Sequence, residues 1–331
     1  MQKRTGERSH ALEQKQQDQR RLDLAARAAW LAYALGRTQD EIAAELNLSR
    51  QNAQRLIALA SALGLVKFRL DHPLADCIVK AQKLQDKFGL RHAEVVPATQ
   101  DEADNRLSIG VAVASYIETL LSRTEPQILC LGTGRTLREA AHQIPLLEKP
   151  KHRIVSLIGT VGPDGRASPY DVVMRLADRV GAQCYPMPMP VLADGPEEQR
   201  VLQAQKGMRA LLALAEEART WIVGIGDLGP QASLHVDGFV TDEELAEMRE
   251  KGAIGEILGW TFDAAGQKVK TSIHDRLISV GLASPIPEHR TIIAAVGGAQ
   301  KVAPLLGALT GGLINGVITD ERTAQALIDM S

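Results

Sequence analysis

Three glycine-rich segments of the sequence follow apolar stretches and could bind an anion. The first reads Gly132-Thr133-Gly134-Arg135-Thr136 and separates the apolar stretch ILCL from a segment with helical spacing. Glycine lets backbone N–H groups approach a ligand closely, and the N-terminus of a helix favours a negative charge. Arg135 and Thr136 add a guanidinium and a hydroxyl as hydrogen-bond donors. We therefore expect a phosphate or a carboxylate to bind at this segment.

The second and third segments, GIGD at 224–227 and GGAQK at 297–301, could supply the rest of a pocket. In the second, Gly226 precedes Asp227, whose carboxylate could accept hydrogen bonds from sugar hydroxyls or act as a base in an enzyme. A glycine turn with the aspartate as a cap is an equally good interpretation. In the third, two glycines precede Lys301, which favours a phosphate partner over simple exposure of the ammonium.

Two further charged residues lie between these segments. Glu256 could bind a hydroxyl and Arg276 a phosphate, although a solvated charge is the default for each. His274 is not a catalytic candidate, because no Ser or Cys nucleophile motif accompanies it. Together, anion donors in two segments and carboxylates in two others predict a pocket for a small phosphorylated polyol or sugar.

The sequence gives no sign of a cofactor or a metal. The first glycine segment lacks the third glycine of a dinucleotide fingerprint, no acidic residue ends the next apolar stretch, and no GKS or GKT follows. Cys77, Cys130 and Cys184 lack paired spacing. An NAD-binding regulator is therefore disfavoured. A sugar-phosphate isomerase or deaminase, with Asp227 or Glu256 as the base, is the alternative function.

Helical and apolar segments alternate over residues 73–331 and would position these groups. After a helix over 74–88, helices are predicted over 108–123, 136–144, 170–180, 199–218 and 302–311, and strands over 92–97, 127–132, 153–159, 182–187, 221–226, 278–282, 291–298 and 316–320. This alternation predicts a Rossmann-like, doubly wound, mostly parallel sheet with helices on both faces. Ligands of such sheets bind where strands end and helices begin, which is where the glycine segments fall.

Ahead of this domain, residues 38–63 have the pattern of a helix-turn-helix. Thr38 and Glu41 form a capping box that predicts a helix start. Asn47 stands where the chain must turn with a left-handed backbone, and Ser49 can cap the second helix. Two short helices that merely pack within a helical domain would share this pattern.

The second helix carries side chains that could contact DNA. Its predicted outer residues, counted from the cap, are Ser49, Arg50, Gln51, Asn52, Gln54 and Arg55. These side-chain types reach base edges and phosphates from a helix in the major groove. The composition therefore predicts a recognition helix for double-stranded operator DNA.

The flanking segments complete an expected DNA-binding domain over 22–72. Residues 1–21 read as a flexible basic arm, and 22–35 as a support helix with Leu24, Ala28, Leu31 and Leu35 on its apolar face. After Gly64, the stretch LVKFRL could form a strand whose Lys67 and Arg69 act as a wing, although an ordinary edge strand fits equally. Residues 71–73 mark the domain boundary.

Composition limits the function classes further. Hydrophobic residues make up 45% of the 331 and charged residues 24%, which excludes a disordered chain, while 3% aromatics argue against single-stranded nucleic-acid platforms. The net charge of −2 divides into +5 up to Leu70 and −7 beyond it, as expected if the head alone binds duplex DNA. No signal peptide or membrane span is visible, so we expect a cytoplasmic protein.

Six stretches, in this order, resemble the SorC family of sugar-sensing bacterial transcriptional regulators. They are TQDEIAAELNLSRQNAQRLIALASALGLVKF, GTGRTL, SPYDVVMRLADRVGAQCYPMPMPVLAD, VGIGDLG, KGAIGEILGWTFDAAGQ and AAVGGAQKVAPLLGALTGGLINGVITDE. The resemblance implies a DNA-binding head and an effector domain related in fold to sugar-phosphate isomerases and CoA transferases. It also implies a phosphorylated sugar or polyol effector and assembly as a homotetramer (a dimer of dimers). We expect no enzymatic activity, because no paired acid and base stands out and a DNA-binding head is not needed for such chemistry.

The resemblance also assigns site residues. It places Gly134, Arg135 and Thr136 in a phosphate loop, and it implies effector contacts from Gly226, Asp227, Glu256 and Lys301. The sequence departs from the family at Thr133, where an aromatic residue is common, and at 51–54, where relatives often have Pro-Thr-Val-Ser. The identity of the effector and the operator sequence therefore do not follow from the resemblance.

Overall fold

A computed structural model describes residues 2–66, 74–168 and 170–330, with side chains from residue 17 onward. The chain divides into two compact units, residues 1–72 and 73–331. The expected wing residues Lys67 and Arg69, and the expected boundary at 71–73, lie outside the described residues.

The N-terminal unit consists of three described helices, α1 Gln2–Tyr33, α2 Gln39–Glu45 and α3 Arg50–Ala62. Helix α1 begins at Gln2, which differs from the flexible arm expected over 1–21. Gln, Lys, Arg, Glu and Leu dominate this segment and all have favourable helix propensity, and no proline interrupts it.

Small residues form the contact between α1 and the other two helices. The α1 side of this core contains Ala25, Ala28, Ala29 and Leu31, and the other side contains Ile42, Ala43, Ala53, Leu56 and Ala60. Of the four residues expected on this face, Ala28 and Leu31 are buried, whereas Leu24 and Leu35 are 37% and 49% exposed. Ala25 and Ala29 face the core in place of these two leucines, because their short side chains let the helices approach closely.

The C-terminal unit contains a parallel sheet with helices on both faces. Its elements are α4 Ala75–Phe88, β1 His92–Val96, α5 Glu102–Leu121, β2 Ile128–Leu131, α6 Arg135–Gln143, β3 Arg153–Ser156, α7 Val173–Val180, β4 Gln183–Tyr185, α8 Pro196–Gln203, α9 Lys206–Glu217, β5 Thr220–Val223, β6 Gly226–Asp227, α10 Ser233–Val236, α11 Asp242–Glu250, β7 Gly255–Ile257, β8 Trp260–Phe262, β9 Thr291–Ala295, α12 Val302–Thr310, β10 Gly316–Asp320 and α13 Glu321–Asp329. In the described residues, seven parallel strands pair in the order β1-β10-β9-β5-β2-β3-β4.

The observed sheet confirms the predicted fold class, with local differences. The predicted helix over 199–218 is two helices, α8 and α9, with a break at Ala204 and Gln205. The predicted strand over 278–282 contributes only an isolated bridge between Ser279 and Ile158. No helix of the described residues is long and apolar enough to cross a membrane.

The strand order creates a switch point beside β2. Strand β3 pairs on one side of β2, and β5, which follows β4 in the chain, pairs on the other. Strand β9 pairs with the far side of β5, so the segments that follow β2, β5 and β9 are neighbours. A crevice forms at the carboxyl ends of the strands at such a point.

A small antiparallel sheet, β6-β7-β8, brings Glu256 to the same place, because Gly226 of β6 pairs with Glu256 of β7. Leu258 and Gly259 form the two-residue turn between β7 and β8, with φ of 55° and 82°. Positive φ at both positions is typical of a type I′ turn.

Candidate functional site

A cavity of about 600 Å³ lies where the segments after β2, β5 and β9 meet β7 and the start of α5. This volume is within the range of about 300–1,000 Å³ typical of small-molecule sites. The predicted site residues that line the cavity are Thr133, Gly134, Arg135, Thr136, Gly226, Asp227, Glu256 and Lys301. The structure therefore brings together residues from three separate segments and one short strand.

Two predicted residues, Gly132 and Arg276, do not line the cavity. The Gly132 N–H donates to the Ile222 carbonyl at 2.9 Å and so extends the pairing of β2 with β5. The Arg276 guanidinium pairs with the Glu244 carboxylate on α11. Sequence spacing alone could not reveal this partner, which is 32 residues away.

The first segment presents an uncapped helix N-terminus to the cavity. Gly134 is the N-cap of α6 with φ of 135°, and no side chain among the described residues caps the helix. The first N–H groups of a helix have no partner within it, so a helix without a capping side chain can bind an anion there. Thr136, in the first turn of α6, also lines the cavity.

Arg135 is held by two other cavity residues. Its Nη2 lies 3.5 Å from Asp237 Oδ1, and its Nε lies 3.5 Å from the Tyr170 hydroxyl. Burial raises the pKa of Asp237, and Arg135 and Tyr170 only partly oppose this effect. Neither Tyr170 nor Asp237 was predicted, because nothing in their local sequence marks them as partners of an arginine.

Lys301 and Asp227 form an ion pair across two segments. The distance from Lys301 Nζ to Asp227 Oδ2 is 2.6 Å, and the side chains are 17% and 14% exposed. Burial alone would raise the pKa of Asp227. The hydrogen bond and charge of Lys301, together with the Gly229 N–H at 2.9 Å, outweigh burial and lower it.

Glu256 faces the cavity from β7, packed closely against β6. Its Oε2 accepts a hydrogen bond of 2.8 Å from the Gly259 N–H. A Cβ atom on Gly226 would lie 2.0 Å from Glu256 Oε1, so a larger residue there would force the Glu256 side chain to move. Burial raises the pKa of Glu256, although the Gly259 N–H and Lys301 oppose the shift.

Residues at the start of α13 hold the third segment in place through hydrogen bonds. The Gly298 N–H donates to Thr323 Oγ1 at 2.9 Å, and this hydroxyl donates to Asp320 Oδ2 at 2.8 Å. A Cβ atom on Gly297 would lie 2.2 Å from the same Oδ2. Asp320 follows an apolar strand and precedes a helix, an N-cap signal from which these supporting residues could have been predicted.

Helix α5 forms a further wall that sequence reasoning missed. Glu102, Asn105, Arg106 and Ile109 line the cavity. The last three follow Glu102 by three, four and seven residues, a spacing that places all four on one helical face. This spacing in the sequence could have indicated that they share a surface.

The N-terminal unit has the predicted helix-turn-helix geometry. The Thr38 N–H donates to Glu41 Oε2 at 2.8 Å, and the Glu41 N–H donates to Thr38 Oγ1 at 3.4 Å, so the predicted capping box is confirmed. Asn47 has φ of 53°, and Ser49 Oγ accepts the Asn52 N–H at 3.3 Å.

The predicted DNA-contacting residues form an exposed face of α3 and its cap. Ser49, Arg50, Gln51, Asn52, Gln54 and Arg55 are all exposed, while Ala53, Leu56 and Ala60 are buried on the opposite face. Arg50 Nη1 lies 3.4 Å from Asp40 Oδ2 on α2. This arrangement leaves the polar face of α3 accessible.

The chain is similar to proteins of one kind over most of its length. Residues 72–329 match the family model Sugar-bind, a sugar-binding domain. The chain is 36% identical to the erythritol catabolism regulatory protein EryD of Brucella abortus (strain 2308), over 92% of this chain and 96% of that protein. It is 31% identical to the transcriptional regulator LsrR of Enterobacter sp. (strain 638), over 93% of this chain and 94% of that protein.

A solved structure shows the same likeness. The full-length sorbitol operon regulator SorC from Klebsiella pneumoniae superposes with a TM-score of 0.71 at 25% sequence identity. The match covers 93% of this chain and 98% of that one, so it includes both units.

Proposed function

The chain belongs to the SorC family of sugar-sensing transcriptional regulators, and we propose that a small phosphorylated sugar or polyol bound in the cavity sets its affinity for operator DNA. The family makes it a DNA-binding regulator of sugar catabolism operons. The observation that supports the effector class is the uncapped N-terminus of α6, which faces the same cavity as four carboxylates, those of Glu102, Asp227, Asp237 and Glu256.

The two ends of such a ligand match different groups. The free N–H groups of α6 and the Thr136 hydroxyl suit a phosphate, which accepts several hydrogen bonds. The carboxylates of Asp227, Asp237 and Glu256 suit hydroxyl groups, which donate them. Because a relative is named for erythritol catabolism, four-carbon polyol phosphates are the first class to test.

Control of DNA binding requires a difference in effector affinity between two arrangements of the protein. An effector that binds both arrangements equally does not change the equilibrium between them. Such coupling is typically worth about 1–3 kcal/mol per site.

The cavity serves sensing rather than turnover in this proposal. The relatives are named as regulators, and of the two base candidates, Asp227 has a lowered pKa and is paired with Lys301, while Glu256 has a pKa raised by burial. A good general base has a pKa near the working pH. Turnover of pentose or hexosamine phosphates by the purified chain would favour the isomerase or deaminase instead.

A homotetramer, as a dimer of dimers, is part of the same proposal. Ile78 and Val79 on α4 are each 51% exposed, and adjacent exposed apolar side chains are typical of association surfaces. Light scattering coupled to size-exclusion chromatography tests this: a monomeric mass would contradict it.

The effector proposal is tested by fluorescence anisotropy of the full chain on its own promoter DNA across a panel of sugar and polyol phosphates. We expect at least one to shift the DNA affinity by about fivefold or more. Thr136→Ala should reduce that shift, whereas Thr119→Ala, an exposed threonine on α5, should not. The absence of a response to every member would contradict the effector half of the proposal.

A further inference from the structure

Helices α5 and α6 lie side by side and run in the same direction, because each follows one strand of the parallel sheet and precedes another. A Cβ atom on Gly110 of α5 would lie 2.9 Å from Glu139 Cβ of α6, so the two helices touch at this glycine. One turn nearer the helix N-termini, α5 carries Arg106 and α6 carries Arg135. Arg106 therefore lies beside the first turn of α6, where it lines the cavity.

The two arginines at this point differ in their partners. The Arg135 guanidinium contacts the Asp237 carboxylate and the Tyr170 hydroxyl, each at 3.5 Å. Arg106 is half-buried, and among the described residues it has neither an ion pair nor a hydrogen bond. Of these two cations, Arg106 is the one whose charge is left for a ligand.

The neighbouring polar groups on α5 do not supply a partner for Arg106. Glu102 precedes it by four residues, a spacing at which helical ion pairs usually form, yet Glu102 is exposed and the charged groups are more than 4.0 Å apart. The Asn105 amide is bound to the Thr99 backbone, with Oδ1 accepting the Thr99 N–H at 2.6 Å and Nδ2 donating to the Thr99 carbonyl at 3.1 Å.

We propose that Arg106, rather than Arg135, supplies the positive charge for a phosphate at the start of α6, and that this contact selects phosphorylated effectors over free sugars and polyols. A guanidinium has five donors and no acceptor, and its planar fork matches phosphate oxygens. The partial burial of Arg106 without a counter-charge is unfavourable until an anion binds. The inference rests on the proposed function, which assigns the phosphate to the α6 N-terminus.

A phosphate group can use donors from both helices at once, whereas a hydroxyl group cannot. The first N–H groups of α6 and the Thr136 hydroxyl are on one helix, and Arg106 is on the adjacent one. A phosphate monoester has three strong acceptor oxygens and a charge of about −1.5 to −2 at pH 7. A hydroxyl has one oxygen and no charge, so the same donors bind it more weakly. Loss of Arg106 should therefore weaken phosphate binding in particular.

Isothermal titration calorimetry on the full chain tests the proposal. The probes are erythritol 4-phosphate, ribose 5-phosphate and glucose 6-phosphate, and the one that binds the wild type most tightly is then titrated into the variants. We expect Arg106→Gln to weaken its binding about tenfold or more, as for one charged hydrogen-bonded contact. Arg106→Lys, which keeps the charge but not the planar fork, should lose less. Arg123→Gln, at an exposed arginine just after α5 and outside the cavity, should bind like the wild type.

Urea unfolding without ligand separates a contact with the effector from a structural role. Arg106→Gln should unfold at the same urea concentration as the wild type or a higher one, because no partner within the protein is lost. Arg135→Gln should unfold at a lower concentration, because Asp237 loses its cation. The two variants should thus show opposite patterns, with the larger loss of probe affinity in Arg106→Gln.

Three results would overturn the inference. If a phosphorylated probe binds the wild type and Arg106→Gln equally well, or if Arg135→Gln loses more affinity than Arg106→Gln, Arg106 is not the main phosphate cation and the proposed function still stands. If Arg106→Gln lowers the stability of the protein without ligand as well as its affinity, the role of Arg106 is structural. If none of the probes binds, the proposed function fails together with the inference.

Discussion

The Lys301 ammonium lies 2.6 Å from the Asp227 carboxylate and thereby joins the segment that follows β9 to the segment that follows β5. The glycines before each residue let both segments turn into the cavity, so the pair holds two walls of the site at a fixed separation. An effector that contacts either residue must therefore act on both segments. This coupling gives a direct way to test the site by mutation.

Removal of the lysine should affect both stability and sensing. Lys301→Met leaves Asp227 half-buried without its cation, and we expect a loss of about 1–3 kcal/mol in the free energy of unfolding and a weaker effector response. Adding Asp227→Asn should recover part of the stability but not the response. Urea unfolding and DNA-binding anisotropy measure the two effects. Strictly additive losses in the double variant would show that the pair is not coupled.

Glu256 should make the protein less stable as the pH rises. Burial raises the pKa of this carboxyl in the folded state above its ordinary value of 4.5. Above that value the unfolded chain releases the proton first, so the contribution of Glu256 to stability falls until the pH passes the folded pKa. Relative to wild type, Glu256→Gln should therefore gain stability between pH 4.5 and neutrality in urea unfolding. Glu250→Gln, on the exposed end of α11, should follow wild type; an identical pH profile for Glu256→Gln would contradict the assignment.

Arg50 and Arg55 should contribute to operator binding. Both are exposed at the start of α3, where a recognition helix meets DNA. If the side chain contacts a base, the change to alanine should weaken DNA binding by about 1–3 kcal/mol. If it contacts a phosphate, the change should reduce the slope of the logarithm of the binding constant against the logarithm of the salt concentration by about one. Anisotropy at several salt concentrations separates the two cases. Arg200→Ala, an exposed arginine on α8, serves as the control, and unchanged isotherms for both head variants would rule out this docking mode.

Thr323 should position the third glycine segment through its hydroxyl. Thr323→Val keeps the shape but leaves the Gly298 N–H without its acceptor, so we expect a loss of about 1–3 kcal/mol in stability and a weaker effector response. Thr323→Ser retains the hydroxyl and should restore the response. If the valine and serine variants respond alike, the hydroxyl has no positioning role.

The sequence by itself determined the features of this protein that depend on contacts between residues close together in the chain. The capping box of Thr38 and Glu41, the turn at Asn47 and the cap at Ser49 were predicted from neighbouring residues, because each involves partners within three or four positions. The alternation of helices and apolar strands likewise predicted the parallel sheet and the glycine segments at its carboxyl end.

Only the tertiary structure decided which charged side chains pair with one another. Arg276 was predicted to bind an effector, but it pairs with Glu244 on α11. Arg135 meets Asp237, which lies between α10 and α11, where the sequence pattern does not indicate a partner for an arginine. Arg106 was overlooked because a charge on an amphipathic helix normally faces solvent. Electrostatic pairing depends on distances of a few ångströms between residues far apart in the chain, and only the folded sheet fixes those distances.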